Sequence, residues 1–314
     1  MIQLQYPARY PPRTIAPKTS GKLSVSLPQN WKDFDVLYIT ATDLYGRQLN
    51  TWSWTITTPE EMAKRIRPKD TGTVSVKEND GNLIMNANNV EVTIDQKTGL
   101  LLSAKNSKGT LSLKNGPVLI SGEATTSTVT HADTSTGHVV KVTYEGKQRF
   151  QFTWTMMPSG ILKLNYQYRP ENHQEMLGVT FDYPEDRVKG IQLIANGPYR
   201  VYKNRMKGTT FNSWTKTYNN AVTGEVWDYP EFKGYYSNFY AGKFQTNEGD
   251  FSVYTDTENL FLHLLNPAVP KGLGKANSMA VYPKSGGISF MHGITAIGTK
   301  SQKKKSWGHK AKTT

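Results

Sequence analysis

Residues 90–101 read Val90-Glu91-Val92-Thr93-Ile94-Asp95-Gln96-Lys97-Thr98-Gly99-Leu100-Leu101. Apolar and polar side chains alternate up to Asp95, the period of a strand with one buried face. Gln96-Lys97-Thr98-Gly99 then supplies turn residues before the next apolar run, so the stretch predicts strand, turn and strand. The same pattern continues outward in both directions. Strand-like runs occupy 74–76 and 83–87 upstream, and 100–104, 118–120, 139–144, 150–156 and 161–168 downstream, continuing to 288–291. They recur about every 8–12 residues between Gly, Asn, Asp and Pro. Helical periodicity is confined to Pro59-Glu60-Glu61-Met62-Ala63-Lys64-Arg65-Ile66, with proline at the first helical position, acids in the first turn, and Arg67-Pro68 as the stop. The expected class is all-β. Because no fixed-period repeat is found, a large antiparallel β-sandwich of two layers is favoured over a propeller.

Ahead of the helix, residues 22–27, 34–41 and 51–56 read as three alternating strands. An immunoglobulin-like sandwich needs about seven strands, so these are expected to form a partial immunoglobulin-like β module in a chain that begins inside a domain. The expected organisation is this module over 1–58, a linker over 59–72, the large sandwich over 73–300, and a basic, disordered tail over 301–314.

Composition narrows the function classes. The 314 residues carry a formal net charge of +13 and no cysteine, which removes disulfides, thiolate metal sites and cysteine nucleophiles. Five of the 38 basic residues fall in the acid-free stretch 301–314 and four more in the acid-free stretch 1–22. The excess is therefore largely terminal, and no nucleic-acid partner is expected. No apolar run approaches the roughly 20 residues that cross a bilayer, and the N-terminus has no signal-peptide pattern. The six histidines, at 131, 138, 173, 263, 292 and 309, show no His-x-x-x-His or His-x-Glu spacing suited to zinc. No cofactor is expected, although oxygen donors in loops leave room for a bound calcium. Lys271-Gly272-Leu273-Gly274-Lys275 lacks the spacing of a phosphate-binding loop.

An aromatic block is the main binding signal. Tyr199, Tyr202, Phe211, Trp214, Tyr218, Trp227, Tyr229, Phe232, Tyr235, Tyr236, Phe239 and Tyr240 lie close together, interleaved with Arg200, Asn204, Arg205, Asn212, Glu225 and Asp228. Aromatic faces cover the C–H faces of sugars while polar neighbours bond the hydroxyls. Most of these rings are expected in the core, with a few, Trp214 and Trp227 among them, facing a ligand. The expected carbohydrate-binding residues are Tyr199, Arg200, Tyr202, Arg205, Trp214, Glu225, Trp227 and Asp228.

Two stretches carry a family resemblance. Residues 90–101 resemble the opening hairpin of galactose-mutarotase-like supersandwich domains. Ile194-Ala195-Asn196-Gly197-Pro198-Tyr199-Arg200-Val201-Tyr202-Lys203-Asn204-Arg205, followed by Gly224-Glu225-Val226-Trp227-Asp228-Tyr229-Pro230-Glu231-Phe232, is similar to the last domain of β-galactosidases in glycoside hydrolase family 2. That family's Gly-Pro-x-x-x-Tyr-x-x-Arg pattern is met by Gly197, Pro198 and Tyr202, with Arg205 one place late. The resemblance implies a non-catalytic C-terminal region of such an enzyme, periplasmic or extracellular, packing on a catalytic barrel and contacting a galactoside or plant polysaccharide. The family's glutamate pair sits on a TIM barrel of about 250 residues with alternating strands and helices, and no such alternation is present. Two alternatives stand beside this reading: an independent carbohydrate-binding module, and a mutarotase-like epimerase using His173 and Glu175 for proton transfer.

Overall fold

The computed structural model describes residues 16–122, 124–145, 149–170, 174, 176–199, 201–203, 205–217, 235–264 and 287–294. The basic tail and the 271–275 turn lie outside these residues. The described chain is all-β, with antiparallel sheets and one α-helix.

Strands β1 (Val36–Thr42) and β2 (Gln48–Thr55) form a hairpin, followed by helix α1 (Pro59–Ile66), the span expected from sequence. Strands β3 (Ser75–Asn79), β4 (Asn82–Ala87), β5 (Val90–Asp95), β6 (Leu101–Asn106) and β7 (Gly109–Leu111) make a five-stranded meander. Strand β8 (Lys114–Leu119) leaves it, and β9 (Thr125–Thr134), β10 (Gly137–Glu145), β11 (Arg149–Met156) and β12 (Leu162–Arg169) form a second, four-stranded meander. The remaining strands are β13 (Leu177–Asp182), β14 (Val188–Gly197), β15 (Thr210–Thr217), β16 (Tyr235–Tyr236), β17 (Ala241–Thr246), β18 (Phe251–Tyr254), β19 (Phe261–Leu264) and β20 (Gly287–Gly293). They complete a third sheet in the order β16-β19-β20-β13-β8 and a fourth in the order β15-β14-β17-β18.

The four larger sheets stand in a propeller-like ring. No repeat in the sequence marks the ring, because the sheets differ in strand number and connection. They hold five, four, five and four strands, and the third draws β8, β13, β16, β19 and β20 from distant parts of the chain. Within the ring the packing is sandwich-like, sheet face against sheet face. Leu83, Met85, Val92 and Ile94 of the first sheet bury against Val140, Val142, Phe152, Trp154 and Met156 of the second, with Val179 and Phe181 of the third at their margin. A second core joins Ile191, Leu193 and Phe244 of the fourth sheet to Leu262 and Ile288 of the third.

The β5–β6 turn shows how the first two sheets lock together. The Asp95 carboxylate accepts hydrogen bonds from the Lys97 N–H (2.9 Å), the Thr98 N–H (2.6 Å) and the Thr98 hydroxyl (2.9 Å). Gly99 adopts φ +71°, and a β-carbon there would lie 2.3 Å from Val142 Cγ2. The turn's carbonyls are then taken by the second sheet: Tyr144 O–H donates to Thr98 O (2.6 Å) and Trp154 Nε1 to Gly99 O (3.0 Å).

Helix α1, in the segment expected to be a linker, ties the hairpin to the fourth sheet. A capping box closes its start, with the Thr58 hydroxyl accepting from the Glu61 N–H and the Glu61 carboxylate accepting from the Thr58 N–H. Met62 packs with Phe211 and Tyr240, and Tyr240 O–H donates to Thr57 O (3.0 Å). Arg65 bonds both Asp35 Oδ1 (2.7 Å) and the Thr57 hydroxyl (2.8 Å). On the hairpin itself, Tyr38 O–H donates to Phe211 O, and the Phe211 N–H donates to Ser53 Oγ (2.7 Å).

Two measurements check the lock. Gly99→Ala forces an L-residue into the left-handed region and pushes a methyl into Val142, so urea unfolding should show a loss of about 3 kcal/mol. Burial raises the Asp95 pKa, but the hydrogen bonds from Thr98 and Lys97 outweigh it and hold the group below its ordinary value. Its contribution is therefore complete at neutral pH and lost as pH falls through the carboxylate range. Asp95→Ala should be less stable than the wild type at neutral pH, with the gap narrowing between about pH 5 and about pH 3.

Candidate functional site

A cavity of about 1250 Å³ is lined by residues of all four large sheets and of α1. The register of β10, β11 and β12 decides what one wall presents. Val140, Val142, Phe152 and Trp154 point into the core. The intervening residues fall on the opposite face, where Lys141 pairs with Thr153 and Thr153 with Asn165, while Thr143 pairs with Gln151 and Gln151 with Gln167. All six line the cavity. Three neighbouring strands thus offer two cross-strand rows of amides, hydroxyls and one amine, and Gln151 Nε2 donates to Gln167 Oε1 (2.8 Å). Lys163, one pair further along, forms an ion pair with Asp256 (2.7 Å) that links β12 to the segment after β18.

Aromatic groups lie on the other face of the same sheet, where Tyr166 pairs with Phe152 and Tyr168 with Phe150. Tyr166 and Tyr168 stack with an interplanar angle of 10°, and His292 of β20 lies 5.5 Å and 5.8 Å from their centroids. Tyr168 Oη and His292 Nδ1 are 2.9 Å apart, and Tyr166 O–H donates to Phe290 O (3.3 Å). Burial raises the pKa of both phenols, with the neighbouring tyrosine adding to the effect on Tyr166. The His292 ring reaches solvent through the cavity, yet the protein crowded around it lowers its pKa. All three rings are therefore neutral at neutral pH and act as hydrogen-bonding groups without charge.

The carboxylates lining the cavity are Glu60, Asp250 and Asp256, and each sits in an ion pair, with Lys64, Lys243 and Lys163 respectively. Lys243 bonds Asp250 and lowers its pKa, with smaller help from the Thr246 N–H and Lys108. General-acid work on a glycosidic oxygen needs a carboxyl with a raised pKa. Asp250 is held the other way, and all three carboxylates are engaged by lysines. The wall thus presents five uncharged polar side chains and one ammonium, that of Lys141.

The residues singled out from sequence lie elsewhere. Tyr199 is exposed beyond the end of β14, and Arg205 is exposed with its backbone bridged to Tyr202. Tyr202 is fully buried beside Val201, Tyr235, Met176 and Phe261. Trp214 is half-buried on β15: its Nε1 donates to Ala195 O (3.1 Å) and its indole covers Gly197, where a β-carbon would lie 2.7 Å from Nε1. Phe211, Tyr235, Tyr236, Phe239 and Tyr240 of the aromatic block are also buried. Arg200, Asn204, Glu225, Trp227, Asp228, His173 and Glu175 lie outside the described residues. Of the chosen residues that are described, none lines the cavity.

Sequence reasoning missed two places. The polar wall carries no motif; its signal is the period-2 alternation of β10, β11 and β12, with polar residues, both charged and uncharged, at the outward positions. The other is His263 on β19, with its ring 4.6 Å from that of Tyr235. Neither of its ring nitrogens has a hydrogen-bond partner among the described residues, and burial drives its pKa down to about 4. A lone histidine in Phe261-Leu262-His263-Leu264 reads as one residue of a core strand.

Trp214→Ala should act on stability. Removing a half-buried indole that bonds Ala195 and covers Gly197 should lower unfolding stability by about 2–3 kcal/mol in chemical denaturation. No family model matches the chain, and neither does any curated protein.

Proposed function

We propose that the chain is a non-catalytic, carbohydrate-binding β domain of the kind that accompanies the catalytic barrel in family 2 glycoside hydrolases, and that the sugar lies on the polar wall of the cavity. The observation carrying this reading is the pair of cross-strand rows Lys141–Thr153–Asn165 and Thr143–Gln151–Gln167 facing a cavity of about 1250 Å³. Amides and hydroxyls donate and accept in the same directions as sugar hydroxyls, so a strand-spaced array of them meets an oligosaccharide, with the Lys141 ammonium as one further donor. Tyr254 and Phe251, also lining the cavity, supply apolar rings for the sugar's C–H faces. Support for the absence of catalysis comes from the ion-paired state of Glu60, Asp250 and Asp256. The family resemblance of residues 194–205 supports the parent class.

Calorimetric titration of the chain with galacto-oligosaccharides and soluble plant polysaccharides tests the proposal. The expected result is saturable binding that Gln151→Ala together with Gln167→Ala weakens about tenfold, as loss of one or two hydrogen bonds implies. Both side chains are exposed, so folding stability should change by less than about 0.5 kcal/mol. Binding that survives this pair but is lost in Tyr199→Ala and Arg205→Ala would move the site to the end of β14. Absence of binding to every sugar would overturn the reading.

A further inference from the structure

The β9–β10 hairpin and the edge strand β3 bring together Asp133, His138, His131 and Glu78. Register sets Asp133 opposite His138, and His131 one pair further, opposite Val140. His138 is buried, and its Nδ1 lies 2.7 Å from Asp133 Oδ1. A carboxylate has no proton to give at neutral pH, so Nδ1 carries the hydrogen and Nε2 presents a bare lone pair. That lone pair points to His131 Nδ1, 3.1 Å away. The other nitrogen of His131, Nε2, faces Glu78 Oε1 at 3.5 Å, and Glu78 is held in place by Gln96, whose Nε2 donates to Oε2 (2.9 Å).

Each imidazole thus turns one nitrogen toward a carboxylate and the other toward its partner ring. A neutral pair joined by a hydrogen bond must leave a bare His131 nitrogen facing Glu78. With both outer nitrogens protonated, two lone pairs meet across the 3.1 Å gap unless a cation sits between them. We propose that His131 Nδ1 and His138 Nε2 form a binding site for a divalent transition-metal ion of the zinc class. Two nitrogens bound to a tetrahedral zinc at about 2.0–2.1 Å stand about 3.3–3.4 Å apart, a few tenths of an ångström wider than the observed gap. Asp133 and Glu78 supply the outer carboxylates that orient metal-bound imidazoles and raise their basicity. Among the described residues no group of three or more His, Asp or Glu side chains converges on one point, so water completes the coordination and the ion exchanges readily. The site is independent of the sugar-binding wall: none of the four residues lines the cavity.

Titrating metal-stripped full chain with zinc chloride, and separately with cobalt(II) read by its visible absorption, tests the site. The wild type should bind with a component that His131→Gln weakens at least tenfold. Asp133→Asn should weaken the same component about tenfold by loosening His138. His131 stands at the rim of the hairpin, so His131→Gln should keep the wild-type circular dichroism spectrum, which makes it the deciding variant where the buried His138→Gln fails to fold. Zinc bound equally by wild type and His131→Gln would assign the metal to other histidines and overturn the proposal. No zinc binding by the wild type would overturn it too, leaving a shared proton between the rings.

Discussion

Two carbonyl oxygens in one turn hold the first half of the ring together. Thr98 O and Gly99 O accept from Tyr144 and Trp154, side chains that belong to a different sheet. Backbone carbonyls buried at a sheet–sheet junction need partners, and an unpaired one costs about 1–3 kcal/mol. Here the partners are the polar tips of rings whose bodies fill the core between the sheets. Tyr144 packs on Phe150 and Phe152, and Trp154 sets an edge against Phe181 of the third sheet. Gly99 permits the approach, since any side chain there would meet Val142. Fixing one turn therefore aligns three sheets and sets which face of β10 and β11 turns outward.

The hairpin β1–β2 is held by a different device. Its inner face bonds Phe211 through Tyr38 and Ser53, while α1 is clamped between Asp35 and Tyr240. Its other face carries Trp52 opposite Ile39 and Trp54 opposite Leu37, with both indoles about half exposed. A two-stranded sheet is marginal alone, and this one depends on hydrogen bonds to the fourth sheet for its place.

Local chemistry was legible in the sequence and long-range assembly was not. Proline, acids and the Arg67-Pro68 stop located α1 because capping acts within one turn. Alternation at 90–95 and the Thr98-Gly99 turn located β5 and β6, since strand period and left-handed glycine are also local. The ring was hidden because its third sheet pairs β8 with β13 and β13 with β20, and no local pattern encodes such partners. Density of aromatics misled the choice of site for a related reason. Tyr202, Phe211, Tyr235, Phe239 and Tyr240 cluster in sequence and are all buried, from strands and from the segments between them, so a dense aromatic run marks a core. His131 and His138 are seven apart, no zinc spacing, yet a hairpin returns one beside the other.

The cavity follows from the same alternation. A sheet standing in a ring has neighbours on both sides, and apolar residues on both faces would draw those neighbours into contact. On β10–β12 only one face is apolar. The other carries Lys141, Thr143, Gln151, Thr153, Asn165 and Gln167. Desolvating an amide or hydroxyl without a partner costs about 1–3 kcal/mol on protein scales, so these five, with the Lys141 amine, stay solvated more cheaply than they could be buried. The Lys163–Asp256 pair spans the remaining distance between β12 and the segment after β18 with two flexible side chains. The polarity of that face thus keeps its six side chains at the border of the space, which Val142, Phe152 and Trp154 of the opposite face also line.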